Sequence, residues 1–150
     1  MSGFWCQVSA SRDQKAFPGV RKARIMLRSF RELTVWQKSM ALATYVYRLT
    51  QGFPREELYG LASQLRRAAV SVPSNIAEGH GRSGIGEYRQ FLWIARGSNF
   101  ELQTQLEIAK ALNMGNPKLL EESETLSQEV GKMLFALLGK LRSKVQARPA

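Results

Sequence analysis

The sequence predicts an all-α fold, an antiparallel up-down-up-down four-helix bundle, on three observations. Four long segments carry apolar residues at steps of three and four. Short stretches of helix-stopping and helix-capping chemistry separate them. No stretch shows strand alternation, an Asn-Gly hairpin signal or the strand-and-helix rhythm of a parallel sheet. Four long helices with short links pack most economically up-down-up-down.

The first helix is expected to open at Thr34, a good N-cap. Its stripe is Val35, Ser39, Leu42, Val46, Leu49 and Phe53, with Trp36, Met40, Ala43, Tyr47 and Thr50 beside it. Gly52, Phe53 and Pro54 end it. The second helix is expected from Arg55 or Glu56, with Leu58, Leu61, Leu65, Ala68, Val72 and Ile76 inward. Pro73 has no amide hydrogen and its ring presses on the carbonyl one turn back, which predicts a kink. The apolar rhythm runs on to Ile76, favouring one kinked helix over two, and Gly79, His80 and Gly81 stop it.

The third helix is expected to open at Ser83 or Gly84 and to turn Tyr88, Phe91, Ala95, Ser98, Leu102, Leu106 and Ala109 inward. Trp93, Gly97, Phe100, Thr104 and Ile108 lie roughly opposite. A helix in a monomeric bundle needs one apolar face. Trp93 and Phe100, with Gly97 between them, therefore read as a subunit interface, and a homo-oligomer is the expected state. Gly115 is expected to end this helix, Asn116 to cap the fourth, and Pro117 to fill its first position. Glu121 and Glu122 near its start and Lys140, Arg142 and Lys144 near its end suit the helix dipole. Its heptad stripe is Leu119, Ser123, Leu126, Val130, Met133, Leu137 and Leu141.

At 150 residues the chain is sized for one domain. Hydrophobic residues make up 44% and charged residues 23%, ordinary values for a globular protein. Net charge is +10, and the first 25 residues hold +4 of it, from Arg12, Lys15, Arg21, Lys22 and Arg24 against Asp13. Residues 1–29 are expected to be a disordered basic extension, with Met26 a sensible alternative start; 30–145 form the bundle and 146–150 fray. A basic balance favours anionic partners: RNA, DNA or lipid headgroups. No apolar run reaches membrane-spanning length, so no membrane span is expected, and a membrane is not among the expected partners. A single cysteine, Cys6, and a single histidine, His80, leave no internal disulfide and no multi-histidine metal site; neither metal nor cofactor is expected. This cysteine usage fits a reducing cytoplasm.

The polar edge of the second helix is the densest cluster of chemistry. Arg67, Ser71, Ser74 and Glu78 recur at steps of four, three and four, Asn75 lies beside them, and Glu101 on the third helix can face them. They are expected to form a structural network of hydrogen bonds and ion pairs, serving groups that Pro73 frees. Glu78 and Glu101 invite an acid/base reading, but no nucleophile, second histidine or Glu-x-x-His motif accompanies them, so no enzyme is expected. The glycine-rich run from Gly79 to Gly86 has no preceding strand and no Gly-Lys-Ser/Thr ending, and it reads as a tight turn. For nucleic acid, the candidates are Arg66, Arg67, Arg82, Arg89 and Arg96. The last three are a heptad apart, a basic stripe suited to backbone phosphates.

Phe30-Arg31-Glu32-Leu33-Thr34-Val35-Trp36-Gln37-Lys38 and the run from Leu65 through Pro73-Ser74-Asn75-Ile76-Ala77-Glu78-Gly79 resemble the bacterial four-helix-bundle proteins also called 23S rRNA intervening-sequence proteins. Glu87-Tyr88-Arg89-Gln90-Phe91-Leu92, Ala95-Arg96-Gly97-Ser98 and Glu101-Leu102 continue the likeness, which covers about Phe30 to Leu141. The resemblance implies a ring-shaped homopentamer of antiparallel four-helix bundles. Some relatives are encoded inside 23S rRNA genes; others resemble the accessory variability protein of diversity-generating retroelements, which partners a reverse transcriptase. It supplies no catalytic residues. The expected function is a non-enzymatic oligomeric scaffold that binds RNA or a ribonucleoprotein through basic surface. The alternative is a protein-interaction accessory subunit, for example of such a reverse transcriptase.

Overall fold

The computed structural model describes residues 29–147, and no strand occurs among them. Helix α1 spans Thr34–Gln51, α2 Leu61–His80, α3 Ile85–Ala111 and α4 Pro117–Gln146; short 3-10 turns occupy Phe30–Glu32 and Arg55–Glu57. α1 packs on α2, α2 on α3 and α3 on α4, and α4 closes against α1, while diagonal pairs do not meet. This is the up-down-up-down four-helix bundle. Cys6 and the expected basic extension lie outside the described residues, apart from Ser29. Ser29 caps the first 3-10 turn, its hydroxyl accepting from the Arg31 amide at 3.2 Å. Of the terminus expected to fray, residues 148–150 also lie outside; α4 runs through Gln146.

The core follows the helical stripes. Leu42, Val46 and Leu49 of α1, Leu65, Val72 and Ile76 of α2, Leu92, Leu102 and Leu106 of α3, and Val130 and Leu134 of α4 are fully buried. Burying each such side chain stabilises the fold by about 1.5–3 kcal/mol before conformational entropy is counted. Asn116 caps α4 as expected, its Oδ1 accepting from the Lys118 amide at 2.9 Å, with Pro117 in the first turn.

Several local expectations are corrected. Leu33, not Thr34, takes the cap position of α1 and makes no side-chain bond there. α2 begins at Leu61 rather than at Arg55 or Glu56. Pro54 leads into a 3-10 turn, the chain bends again at Gly60, and the Glu57 carboxylate accepts from the Leu61 amide at 2.9 Å. Leu58 therefore leaves the core stripe and is 49% exposed. α2 then continues unbroken through the buried Pro73. The carbonyl that Pro73 cannot bond belongs to Ala69. The next two, of Val70 and Ser71, each gain a side-chain donor, from Ser74 Oγ and Asn75 Nδ2, both at 2.8 Å.

Gly79 sits inside the last turn of α2 rather than stopping it. A Cβ there would lie 2.7 Å from Phe91 Cβ and 2.9 Å from Tyr88 Cδ2, so glycine is what lets α3 approach so closely. α3 ends at Ala111, with Leu112 as cap, before Gly115; Gly115 instead adopts φ +77° over Leu49 and Phe53. The inward seams of α3 and α4 also differ. Leu92, Asn99 and Gln105 join the buried face of α3. On α4, Leu120, Ser127, Leu134 and Leu138 are buried, while Leu119, Leu126, Met133 and Leu137 are half-buried beside them. Asn99 explains the shift: it is fully buried, donates Nδ2 to the Ser127 carbonyl at 3.0 Å, and accepts from Ser127 Oγ at 3.0 Å.

Candidate nucleic-acid interface

The last turns of α1, the bend before α2, the outer face of α2 and the middle of α3 enclose a groove of about 770 Å³. That is within the range, roughly 300–1,000 Å³, in which small-molecule sites fall. Tyr47, Tyr59, Arg66, Arg67, Ser98 and Glu101 line it. Burial of the inner face of α1 brings Thr50 against α2. Its hydroxyl donates to the Val46 carbonyl at 2.8 Å and accepts from Arg66 Nε at 2.8 Å. The Arg66 guanidinium lies 4.9 Å from the Tyr47 ring centroid. Arg66 is thus held by one hydrogen bond and one aromatic face, an arrangement that keeps its charge while fixing its direction. Arg67 is exposed and makes no ion pair among the described residues. The bend at Gly60 leaves Tyr59 92% exposed.

The groove floor is polar. Ser71 Oγ of α2 and Ser98 Oγ of α3 are 2.8 Å apart, and Asn75 Nδ2 donates to Ser71 Oγ at 3.0 Å. Glu101 Oε1 accepts from Gln105 Nε2 at 3.1 Å. Aromatic faces, two guanidiniums, hydroxyls and a carboxylate therefore meet in one concavity.

A second surface lies on α3 and α4. The Arg96 guanidinium sits among three rings, 5.2 Å from Trp93, 4.9 Å from Phe100 and 5.3 Å from Phe135 of α4. Those rings are themselves about half bare, Phe135 most so at 63% exposed. Gly97 lies between them, with none of the described residues within 4 Å of where a Cβ would stand. Glycine within a helix costs about 1 kcal/mol relative to alanine. Nothing in the packing of the described residues requires it there.

The family model of the 23S rRNA-intervening sequence proteins matches residues 31–136, which takes in both surfaces. The chain belongs to that family. A solved structure from Bacteroides thetaiotaomicron, described as a protein of unknown function from the S23 ribosomal protein family, has the same fold. Its TM-score is 0.65 at 21% identity, over 70% of this chain and 98% of that one. No curated protein matches the chain.

Within this family fold, the predicted site residues fall into separate places. The polar edge of α2 is three clusters rather than one network: Ser71, Asn75 and Ser98; Glu78 with Arg82; and Glu101 with Gln105. Arg67 joins none of them. Glu78 and Glu101 make no common contact, because Glu78 is ion-paired with Arg82 at the end of α2 while Glu101 faces the groove.

Two of the three arginines of the heptad stripe are engaged as well. Arg82 pairs with Glu78 and stacks 5.0 Å from the Phe91 centroid. Arg89 is half-buried, its Nε enclosed without an acceptor among the described residues, and Arg96 stands among aromatic rings. Of the five arginines proposed from sequence, Arg66 and Arg67 share the groove. His80 packs edge-on against Tyr88 with ring centroids 6.1 Å apart, and burial pushes the Tyr88 phenol above its ordinary pKa. No group of residues fit to hold a metal occurs among the described residues, and no helix there is long and apolar enough to cross a membrane.

Sequence reasoning missed Thr50, Tyr59 and Phe135 as site residues, and read Tyr47 as part of the core margin. Tyr59 had a signal, an aromatic immediately before a glycine at a helix boundary. Phe135 falls two residues from both Met133 and Leu137, hence off their stripe and outward.

Proposed function

We propose that the protein is a non-enzymatic, oligomeric helical scaffold of the cytoplasm that binds single-stranded RNA, alone or within a ribonucleoprotein, through the groove between α1, α2 and α3. The observation that carries this reading is the juxtaposition of exposed Tyr47 and Tyr59 with Arg66 and an unpaired Arg67. Stacking platforms beside guanidiniums suit single strands, whose bases are free to stack and whose phosphates need cations. Arg82 and Arg96, already engaged within the chain, and the half-buried Arg89 have a lesser part.

Fluorescence anisotropy with a labelled single-stranded RNA tests it. Binding should weaken steeply with salt, and Arg67→Ala should reduce the slope of log K against log salt by about 0.7. Tyr59→Ala should cost about 1–3 kcal/mol of affinity. A wild-type protein that binds no RNA at low salt ends the proposal. So does one from which the double variant Arg66→Ala/Arg67→Ala is indistinguishable.

The α3–α4 face of Trp93, Gly97, Phe100 and Phe135 is the proposed contact between subunits, and a pentamer is the proposed assembly. Light scattering should give a mass five times that of the chain, and Trp93→Glu should lower it. If the wild type is a monomer, the same aromatic face favours the second reading, an accessory subunit for a protein partner such as a reverse transcriptase.

A further inference from the structure

Glu101 is out of place in a groove that binds only phosphates. It is exposed, lines the same concavity as Arg66 and Arg67, and forms no ion pair with either. One of its oxygens takes a hydrogen bond from Gln105; the other makes none among the described residues. A free carboxylate opposes a phosphate backbone and lowers the affinity of a purely electrostatic groove. It is favourable against a ligand edge that presents N–H donors.

The neighbouring floor sharpens the pattern. Ser98 precedes Glu101 by three residues on α3, so both project from one face of the helix. Ser98 and Ser71 share one hydrogen bond, and Asn75 donates to Ser71 Oγ, which leaves one of the two hydroxyl hydrogens for a ligand acceptor. The groove therefore offers a hydroxyl donor next to a carboxylate acceptor, with exposed tyrosine rings alongside. Among the nucleobases, guanine and uracil present an acceptor next to an N–H, and guanine alone adds a second donor for the carboxylate. Its Watson–Crick edge carries the O6 acceptor, then the N1–H and N2–H₂ donors side by side. Adenine presents one amine next to an acceptor, and uracil one N–H between two carbonyls.

We propose that the groove reads guanine in single-stranded RNA, with Glu101 accepting from N1–H and the N2 amine and the Ser71–Ser98 hydroxyl pair donating to O6. The inference rests on the RNA-binding reading above and adds base selection to it. Good two-point contacts to a base discriminate by roughly five- to 150-fold.

The test compares three labelled oligonucleotides of equal length on the full-length protein, uridine tracts carrying guanine (GU), adenine (AU) or inosine (IU) at every fourth position so that none pairs with itself; inosine lacks the N2 amine. GU should bind at least about fivefold more tightly than AU, with IU between them. Glu101→Gln removes a negative charge, so affinity for AU should hold or rise while the GU:AU ratio falls towards one. Equal binding of GU and AU by the wild type, or an unchanged ratio in Glu101→Gln, overturns guanine selection and leaves RNA binding standing. Failure to bind either strand overturns both. Displacement of GU by equimolar GMP overturns the strand assignment in favour of a free nucleotide.

Discussion

Replacing Asn99 with alanine removes a buried polar bridge between α3 and α4, and the cost can be worked from its geometry. Two hydrogen bonds of 3.0 Å are lost, one to the Ser127 carbonyl and one from Ser127 Oγ. Each is worth about 1 kcal/mol net, and the space left by a fully buried amide adds a cavity cost. The Ser127 hydroxyl can turn to a carbonyl of its own helix and recover part of the loss. Asn99→Ala should therefore destabilise by about 2–4 kcal/mol. Replacing both partners, in Asn99→Leu/Ser127→Ala, leaves nothing polar unpaired and should return stability to within about 1 kcal/mol of wild type.

Gly131 supplies an independent arm. A Cβ at 131 would stand 3.1 Å from Asn99 Nδ2, which two hydrogen bonds hold in place. Gly131→Ala should be neutral or harmful in the wild type. In the Asn99→Ala background the clash is gone, and the variant should gain up to about 1 kcal/mol of helix propensity. Urea unfolding followed by far-UV circular dichroism, at fixed protein concentration, reads all of these. An Asn99→Ala cost below about 0.5 kcal/mol, or single costs that simply add in the double variant, would refute the bridge.

Further outcomes are expected. Gly79→Ala places a methyl 2.7 Å from Phe91 Cβ and 3.2 Å from the Tyr88 carbonyl, so α2 and α3 must separate; a loss of about 1–3 kcal/mol should appear in the same unfolding assay. Gly115→Ala combines φ +77° with a Cβ 2.6 Å from Leu49 Cδ1, and should cost at least about 1–2 kcal/mol in thermal unfolding. At alkaline pH the folded protein keeps the Tyr88 proton where an unfolded chain, with the ordinary value of 10.0, has lost it. Lys110 acts in the same direction, its pKa raised above 10.5 by its hydrogen bond to Glu124. The folded state then binds more protons, so stability should fall as pH rises from about 10, and Tyr88→Phe should flatten the decline in a series of melts.

The helices were legible because their signals are local. The stripe from Val35 to Leu49 and the Asn116-Pro117 cap need only the neighbouring residues to be read. The seams of α3 and α4 were less so, since a buried asparagine looks polar until its partner on another helix is known. Asn99 and Ser127 are 28 residues apart in sequence, and only packing brings them together. The surroundings of the arginine stripe were hidden for a related reason. Helical spacing shows which side Arg82, Arg89 and Arg96 share, but not that Glu78 and the rings of Phe91, Trp93, Phe100 and Phe135 already engage two of them. The groove was the least visible part, because α1, α2 and α3 each contribute and Tyr59 owes its exposure to the bend at Gly60.

The route by which the bundle closes bears on how the groove can be used. α2 and α3 are joined by residues 81–84 and are the most extensively packed pair, so they form a hairpin at little loop-closure cost. α1 packs on α2 across a short link but meets α4 across the longest separation in the chain, so the α1–α4 contact carries the largest loop-closure cost. Tyr47 and Thr50, which hold Arg66, both come from α1. The groove is therefore complete only while α1 is docked. A ligand seated there must slow local opening of α1, and amide hydrogen exchange should show α1 gaining protection with ligand concentration while the α2–α3 hairpin gains less.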